Sequence, residues 1–194
     1  VTPQFHAKDI FTLSNFLSPT ECLAEIAHAE SLGFEDAPLA LPMGATMVKE
    51  VRNNERVMSD DPERASRLWL RLADQMPSPF RIEWRPIGLN ERLRYYRYDP
   101  GQQFDWHQDG SFRPTASEQS LFTFMVYLND GYEGGETSFH DESPAYSHLG
   151  HFRIKPERGM ALLFFHPIHH RGDRLIRGRK YVLRSDVMYR RIGG

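Results

Sequence analysis

The stretch "FDWHQDGSF", Phe104 to Phe112, sets an imidazole and a carboxylate two positions apart. In an extended strand, residues i and i+2 point to the same face, so His107 and Asp109 can grip one divalent metal. Asp105 shares their parity and is an open alternative for the carboxylate. Further along, "GMALLFFHPIHHRGDRL" offers His166, His169 and His170 just after an apolar run. Two histidines and one carboxylate on one side of a metal leave neighbouring coordination positions free, the arrangement that suits non-haem Fe(II). A closed structural zinc site prefers four protein ligands, usually with sulfur, whereas this chain has a single cysteine, Cys22. Imidazole must be neutral to ligate, so metal uptake is expected to weaken as pH falls toward about 6.5.

An open iron site needs a co-substrate. If that is 2-oxoglutarate, one carboxylate and the keto oxygen meet the metal, and the far carboxylate lies deep in the fold, where an unpaired charge is costly. Lys180 stands ten residues after His170, at the head of "KYVLRSDVMYR". Thr123 and Tyr127 stand four apart on "LFTFMVYLND" and hence on one strand face. Their hydroxyls can complete the hydrogen bonds of that carboxylate.

These side chains must be held by a scaffold, and the chain divides in character near residue 85. The segment "SPTECLAEIAHAESLGF" predicts a helix, with Ser18 as N-cap, Pro19 at the first helical position, Gly33 as stop, and Leu23, Ile26 and Ala27 as its apolar face. A second helix is predicted in "DDPERASRLWLRLADQM", with Leu68, Leu72 and Met76 on one face. Residues 37–58 carry Pro, Gly and a polar "RNNER" segment and read as a loop or hairpin. Beyond residue 86 the runs become short, aromatic and β-branched: "LRYYRYD", "QQFDWHQD", "LFTFMVYLND", "GETSFH", "HFRIKP", "GMALLFFHP" and "KYVLRSDVMYR". Turn signals such as Asp99-Pro100-Gly101 and Gly134-Gly135 separate them. This spacing predicts a β-sandwich or jelly roll and, with the helices in front, an α+β class. The expected organisation is one domain over 1–194, with 1–85 as helical support and lid and 86–194 as the jelly-roll core.

Taken together, "YRYDPGQQFDWHQDG", "LFTFMVYLNDGYEGGETSF", "GMALLFFHP" and "HRGDRLIRGRKYVLRSDVMY" resemble the prolyl 4-hydroxylase-like catalytic domain of Fe(II)/2-oxoglutarate-dependent dioxygenases, over about half the chain (92–190) and in that family's order. The resemblance implies His107, Asp109 and His170 as iron ligands. It implies Lys180 as partner of the far carboxylate, with Tyr127, Thr123 and Tyr98 beside it. The fold it implies is a double-stranded β-helix, a jelly-roll variant, with the N-terminal helices packed on it. The activity it implies is hydroxylation of a peptidyl or free amino acid, proline first, with O2 consumed and succinate and CO2 released. Ascorbate as a reductant of the iron is implied on the same ground. Fold and cofactor do not fix the substrate, so its contacts are expected on loops at the barrel mouth: Arg52, Asn53 and Asn54 on the hairpin-like segment, and Trp106 and Phe112 beside the metal.

Composition narrows the alternatives. The 194 residues carry 24 Lys plus Arg against 26 Asp plus Glu, a net charge of −2. Nothing in that balance suggests a nucleic-acid or membrane surface, although the basic run "RGDRLIRGRK" and Arg184 keep open a nucleic-acid dealkylating oxygenase of the same cofactor class. A non-catalytic metal-binding jelly roll acting as a sensor is the remaining rival. Cys22 falls within the first predicted helix, as a core thiol. No signal-peptide pattern and no run of about 20 apolar residues is present, and a cytoplasmic location is expected.

Overall fold

The computed structural model of the chain describes residues 2–37, 39–41, 44–46, 53–140 and 150–193. Most of the regular structure among them is antiparallel β. The large sheet runs β1 (Gln4–Ala7), β2 (Ile10–Leu13), β14 (Ala161–Phe165), β10 (Glu118–Tyr127), β17 (Lys180–Arg191), β8 (Arg92–Tyr98), β6 (Glu55–Asp60) and β3 (Glu35–Asp36), with β7 (Trp84–Leu89) also paired to β17. A smaller sheet runs β13 (Phe152–Ile154), β12 (Thr137–His140), β15 (His169–Gly172) and β9 (Phe104–His107). Two ribbons complete the set: β4 (Leu39–Leu41) with β5 (Gly44–Thr46), and β11 (Glu133–Gly134) with β16 (Leu175–Arg177).

The two sheets face each other across aromatic side chains. Phe139 of the small sheet meets Phe164 of the large one edge-on at 5.2 Å between ring centroids, and Phe164 lies 4.4 Å from the His170 ring. β10, β14 and β17 form the middle of the large sheet, and burial on both faces is why β14 and most of β10 read as nearly unbroken apolar runs rather than alternating ones. Phe122, Phe124, Val126, Leu162, Leu163, Leu183 and Val187 are completely buried there.

The described helices are two. α1 (Pro19–Leu32) opens with a capping box in which the Ser18 hydroxyl accepts from the Glu21 N–H and the Glu21 carboxylate accepts from the Ser18 N–H. α2 (Pro62–Leu72) is capped by Asp61, which accepts from the Arg64 N–H at 2.8 Å. Its inner face is Ala65, Leu68 and Leu72, with Met76 buried just beyond the helix, as its spacing predicts. In α1 the buried residues are Cys22 and Ala29, while Leu23 is 63% exposed. Ile26 packs against the core as expected, on one stripe with Cys22 and Ala29, whereas Leu23 and Ala27 face outward. Polar contacts tie both helices to the large sheet. Glu25 of α1 accepts from the Tyr95 hydroxyl (2.7 Å) and from Arg64 of α2 (2.6 Å), and Glu30 accepts from Arg97 and Tyr181.

One boundary differs from the expectation. The first 85 residues are not simply helical support: β1, β2, β3 and β6 are built into the large sheet, with β2 paired to β14 and β6 paired to β8. These runs are two to six residues long, so their alternation is too brief to stand out before pairing partners exist. The smaller positions 38, 42–43 and 47–52, which include Arg52 and much of the expected lid, lie outside the described residues, as does 141–149.

Gly159 locks the entry to β14. Its N–H donates to the Tyr127 carbonyl (2.8 Å), its carbonyl accepts from Leu17 N–H (3.0 Å), and its φ is +78°. A methyl group there would collide with the Leu17 carbonyl oxygen, whereas at Gly131, also at positive φ, it would meet nothing within 4 Å. Gly159→Ala is expected to cost about 2–4 kcal/mol and Gly131→Ala about 1–2 kcal/mol, measured by urea denaturation. Equal losses would show that left-handed strain, not the backbone collision, sets the cost.

Candidate metal and co-substrate site

β9 and β15 are paired so that His107 and His170 are direct cross-strand neighbours. Their side chains therefore leave the small sheet on one face, and Asp109, just past β9, joins them. One ligating atom from each of His107, Asp109 and His170 lies within 4.8 Å of the others. His107 Nε2 is 3.8 Å from Asp109 Oδ1, and His170 Nε2 is 3.5 Å from Asp109 Oδ2. The other ring nitrogens are tied down: His107 Nδ1 lies 2.7 Å from the Asp105 carbonyl and His170 Nδ1 3.0 Å from the Ile168 carbonyl. A carbonyl only accepts, so both Nδ1 atoms carry the proton and both Nε2 lone pairs face the shared point. Asp105 thus serves through its backbone, and its carboxylate accepts from the Trp106 N–H instead. His169 emerges on the other face, because neighbours in a strand alternate.

Burial sets the protonation. It pushes the His107 imidazole down to about 3 and lowers His170 as well, with the neighbouring imidazole adding to the effect at His107. His107 is thus neutral well below pH 6.5 and His170 is shifted in the same direction, so the expected loss of metal uptake near 6.5 is displaced to lower pH. For Asp109, burial alone would raise the pKa, but Arg184 and the facing histidines outweigh it and hold the carboxyl well below the usual range. Phe104 stacks on His107 at 3.6 Å and Phe164 packs on His170, which dries the two imidazoles.

A second set of groups fixes Asp109. Thr123 Oγ1 is 2.5 Å from Asp109 Oδ2 and 3.0 Å from His166 Nδ1, and His166 Nε2 is 3.0 Å from Ser120 Oγ. Because the carboxylate can only accept, the order is fixed: Ser120 donates to His166, His166 to Thr123, and Thr123 to Asp109. Burial pushes His166 down to about 4, consistent with this neutral relay. The Asp109 N–H also donates to the His166 carbonyl at 3.1 Å.

Thr123 is thereby a correction. It holds the metal-binding carboxylate and does not stand beside Tyr127 at the far end. The two share a face but are four residues, about 13 Å, apart along the strand, so one carboxylate cannot bond both. The hydroxyl beside Tyr127 is Thr137, 2.6 Å from the Tyr127 oxygen. Lys180, 2% exposed, lies 5.2 Å and 5.4 Å from the centroids of Tyr98 and Tyr127, with Nζ donating to the Gly135 carbonyl at 2.6 Å. Burial lowers it to about 8, with Asp173 and Glu136 opposing the shift. Lys180, Tyr98, Thr137, Thr123, His107 and His170 all line one pocket.

The residues expected at the substrate mouth fare differently. Trp106 points away from the pocket, with its ring 5.3 Å from His140, 5.8 Å from His151, and under the Arg171 guanidinium at 4.8 Å. The reason is parity: it is the immediate neighbour of His107. Asn54 is wholly buried and donates to the Glu55 carbonyl, and Asn53 accepts from the Gln103 N–H at 2.8 Å. Asn53 knits the chain to the loop before β9, and Asn54 is bonded to Glu55 and, through its carbonyl, to the Ala37 N–H. Phe112 remains half exposed on the loop after Asp109.

The residues that sequence reasoning passed over are Thr137, Ser120 and Asp186. Hydroxyls in strands are common, and only cross-sheet neighbours distinguish these. His166 stood among the candidate ligands, and its place next to Pro167 gives no sign of the relay. Thr123→Val removes the relay's last donor and should weaken Co(II) or Fe(II) binding about 10–100-fold, while Thr123→Ser retains most of it. Calorimetric metal titration checks this, and an unchanged affinity in the Val variant would mean that Arg184 and the backbone hold Asp109 unaided.

Comparison with known proteins follows the same site. Residues 93–185 match the family described as the 2OG-Fe(II) oxygenase superfamily. A probable prolyl 4-hydroxylase 9 of Arabidopsis thaliana is 31% identical over 163 residues, 78% of this chain and 55% of that protein. The chain spans a little over half the length of the curated relatives it matches over most of its length. Among solved structures, a viral collagen prolyl hydroxylase from Paramecium Bursaria Chlorella virus-1, in its 2OG complex, superposes with a TM-score of 0.61 at 21% identity, covering 95% of this chain and 97% of that one. A prolyl hydroxylase from Trichoplax adhaerens, in complex with a hypoxia inducible factor peptide fragment, gives 0.66 at 16% identity, covering 92% and 83%. The chain belongs to the 2OG-Fe(II) oxygenase superfamily, with prolyl 4-hydroxylases among its relatives.

Proposed function

We propose that the chain is an Fe(II)- and 2-oxoglutarate-dependent dioxygenase that hydroxylates an amino-acid residue of a peptide, proline first. The observation that carries this reading is the convergence of His107, Asp109 and His170 in one pocket with the buried Lys180. The donor set fits iron: two neutral imidazoles with Nε2 turned inward, one ionised carboxylate, and no thiolate. Iron with 2-oxoglutarate and O2 supplies the oxidising chemistry, in which the co-substrate leaves as succinate and CO2 and the substrate gains one oxygen.

The chain's own contribution is binding, orientation and exclusion of water. His107, Asp109 and His170 would hold the ion, with the Asp105 and Ile168 carbonyls fixing the imidazole tautomers. Lys180 would take the far carboxylate of 2-oxoglutarate, giving up its bond to the Gly135 carbonyl, beside Tyr98 and the Tyr127–Thr137 pair. Phe104 and Phe164 keep the imidazoles dry. The same reading makes the core a double-stranded β-helix braced by the two helices, which the Glu25 and Glu30 contacts support.

A peptide substrate is favoured by the prolyl 4-hydroxylase relatives and by the peptide held in the Trichoplax structure. Succinate release against a panel of proline-containing peptides, free amino acids and methylated nucleic acids tests the substrate class. Turnover of a methylated nucleobase with no peptide or amino acid accepted would overturn it.

Two outcomes concern Lys180. Lys180→Ala leaves a buried carboxylate unpaired, at about 3–5 kcal/mol, and should weaken 2-oxoglutarate binding about 10²–10³-fold while metal affinity stays within a few-fold. Protonated Lys180 is the binding form, and its lowered pKa of about 8 places the loss of affinity within reach. As pH rises from about 7 to about 9, the dissociation constant for 2-oxoglutarate should increase roughly tenfold. A constant value over that range would show that the ammonium is not what holds the co-substrate.

A further inference from the structure

One cation in the pocket has so far served only to hold Asp109. Arg184 lies on β17, four residues after Lys180 and on the same strand face, and it lines the same pocket. Its Nη2 is 3.0 Å from Asp109 Oδ1 and 3.1 Å from Asp186 Oδ1. Asp186, 2% exposed, turns its other oxygen to Arg94 Nη1 at 3.1 Å. A row of alternating charges, Arg94, Asp186, Arg184 and Asp109, thus runs through the fold and ends on a metal ligand.

The row is neutral as it stands: two guanidiniums and two carboxylates. A divalent ion held by Asp109 breaks that balance, because the ion and Arg184 would then share one carboxylate. Two like charges, poorly screened away from water, would face the same space. The arrangement calls for an anion between them. The guanidinium has capacity to receive one, since Nη2 serves both carboxylates while the buried Nε has no hydrogen-bond partner. Arginine's planar fork matches a carboxylate in two-point contact.

We propose that Arg184 is the second anion-binding residue of the co-substrate site. It takes the carboxylate at the metal end, while Lys180 takes the far one. The α-carbons of the two residues are about 13 Å apart along the strand, and their long side chains reach into one pocket from either end. Such a pair selects a short dicarboxylate, with its 2-oxo end toward the metal. This inference rests on the co-substrate reading above and adds a residue and a selectivity to it.

The test uses the Co(II)-loaded protein under nitrogen, titrated calorimetrically with 2-oxoglutarate and with oxalate, which supplies only the metal-end carboxylates. Arg184→Gln should weaken both ligands by a similar factor, tenfold or more, and by clearly more than it weakens Co(II) itself, because Thr123 and the backbone N–H still hold Asp109. Lys180→Gln should weaken 2-oxoglutarate and leave oxalate unchanged. The double variant Arg184→Gln/Asp186→Asn, which removes one charge of each sign, should reproduce the Arg184→Gln pattern and guards against a folding defect in the single variant. Loss of Co(II) affinity as large as the loss of 2-oxoglutarate affinity would overturn the proposal, because Arg184 would then only position Asp109. Unchanged binding of both ligands would overturn it too. If the parent protein takes up Co(II) but no 2-oxoglutarate, the co-substrate reading itself fails, an outcome distinct from an Arg184 variant that binds like its parent.

Discussion

The structure depends on keeping one carboxylate, Asp109, ionised and aimed while it is surrounded by protein. Removing a carboxylate from water costs several kcal/mol unless its oxygens are well bonded. Here one oxygen meets the Arg184 guanidinium and the other the Thr123 hydroxyl, and the backbone N–H behind them is tied to the His166 carbonyl. Each support comes from a different strand or connection. The site therefore exists only when β10, β17 and the segment after β14 are in register.

The two-sheet architecture explains why the histidines and the lysine have opposite companions. The small sheet presents His107 and His170 side by side, against aromatic rings, where burial lowers their tendency to take up a proton. The large sheet presents Lys180, whose acidic neighbours partly offset burial, and Arg184, whose carboxylate neighbours outweigh it. Neutral donors on one wall and cations on the other leave a space suited to a metal ion followed by an anion. That polarity follows from the sheets' facing geometry and does not require any loop to move.

The charge row from Arg94 to Asp109 also links the site to the region where β7 and β8 meet α2. Arg94 lines a surface cleft there with Trp69, Leu89 and Met188. A change at Asp186 would be felt in both directions, since it is the shared partner of both arginines. Removing it would leave two guanidiniums facing one another with only Asp109 to offset them.

The sequence by itself determined the strand pattern beyond residue 86, both helices with the Ser18 cap of the first, and the residue types of the site, because these follow from local rules. Parity places His107 and Asp109 on one face, Pro and Ser open α1, and apolar runs mark the central strands. His170 over His169 and Lys180 were legible through the resemblance of several motifs in order. Tertiary structure alone decided the rest. Trp106 could not be assigned to the pocket or away from it until β9 was paired, and Thr123 looked like a neighbour of Tyr127 because both share a strand face. Its true partner, Asp109, lies 14 residues earlier and reaches it only across the fold. The same holds for Thr137, Ser120 and Asp186, and for the N-terminal strands that complete the large sheet. A side chain's hydrogen-bond partner in a β fold is set by which strands become neighbours, and that depends on pairing between segments distant in the chain.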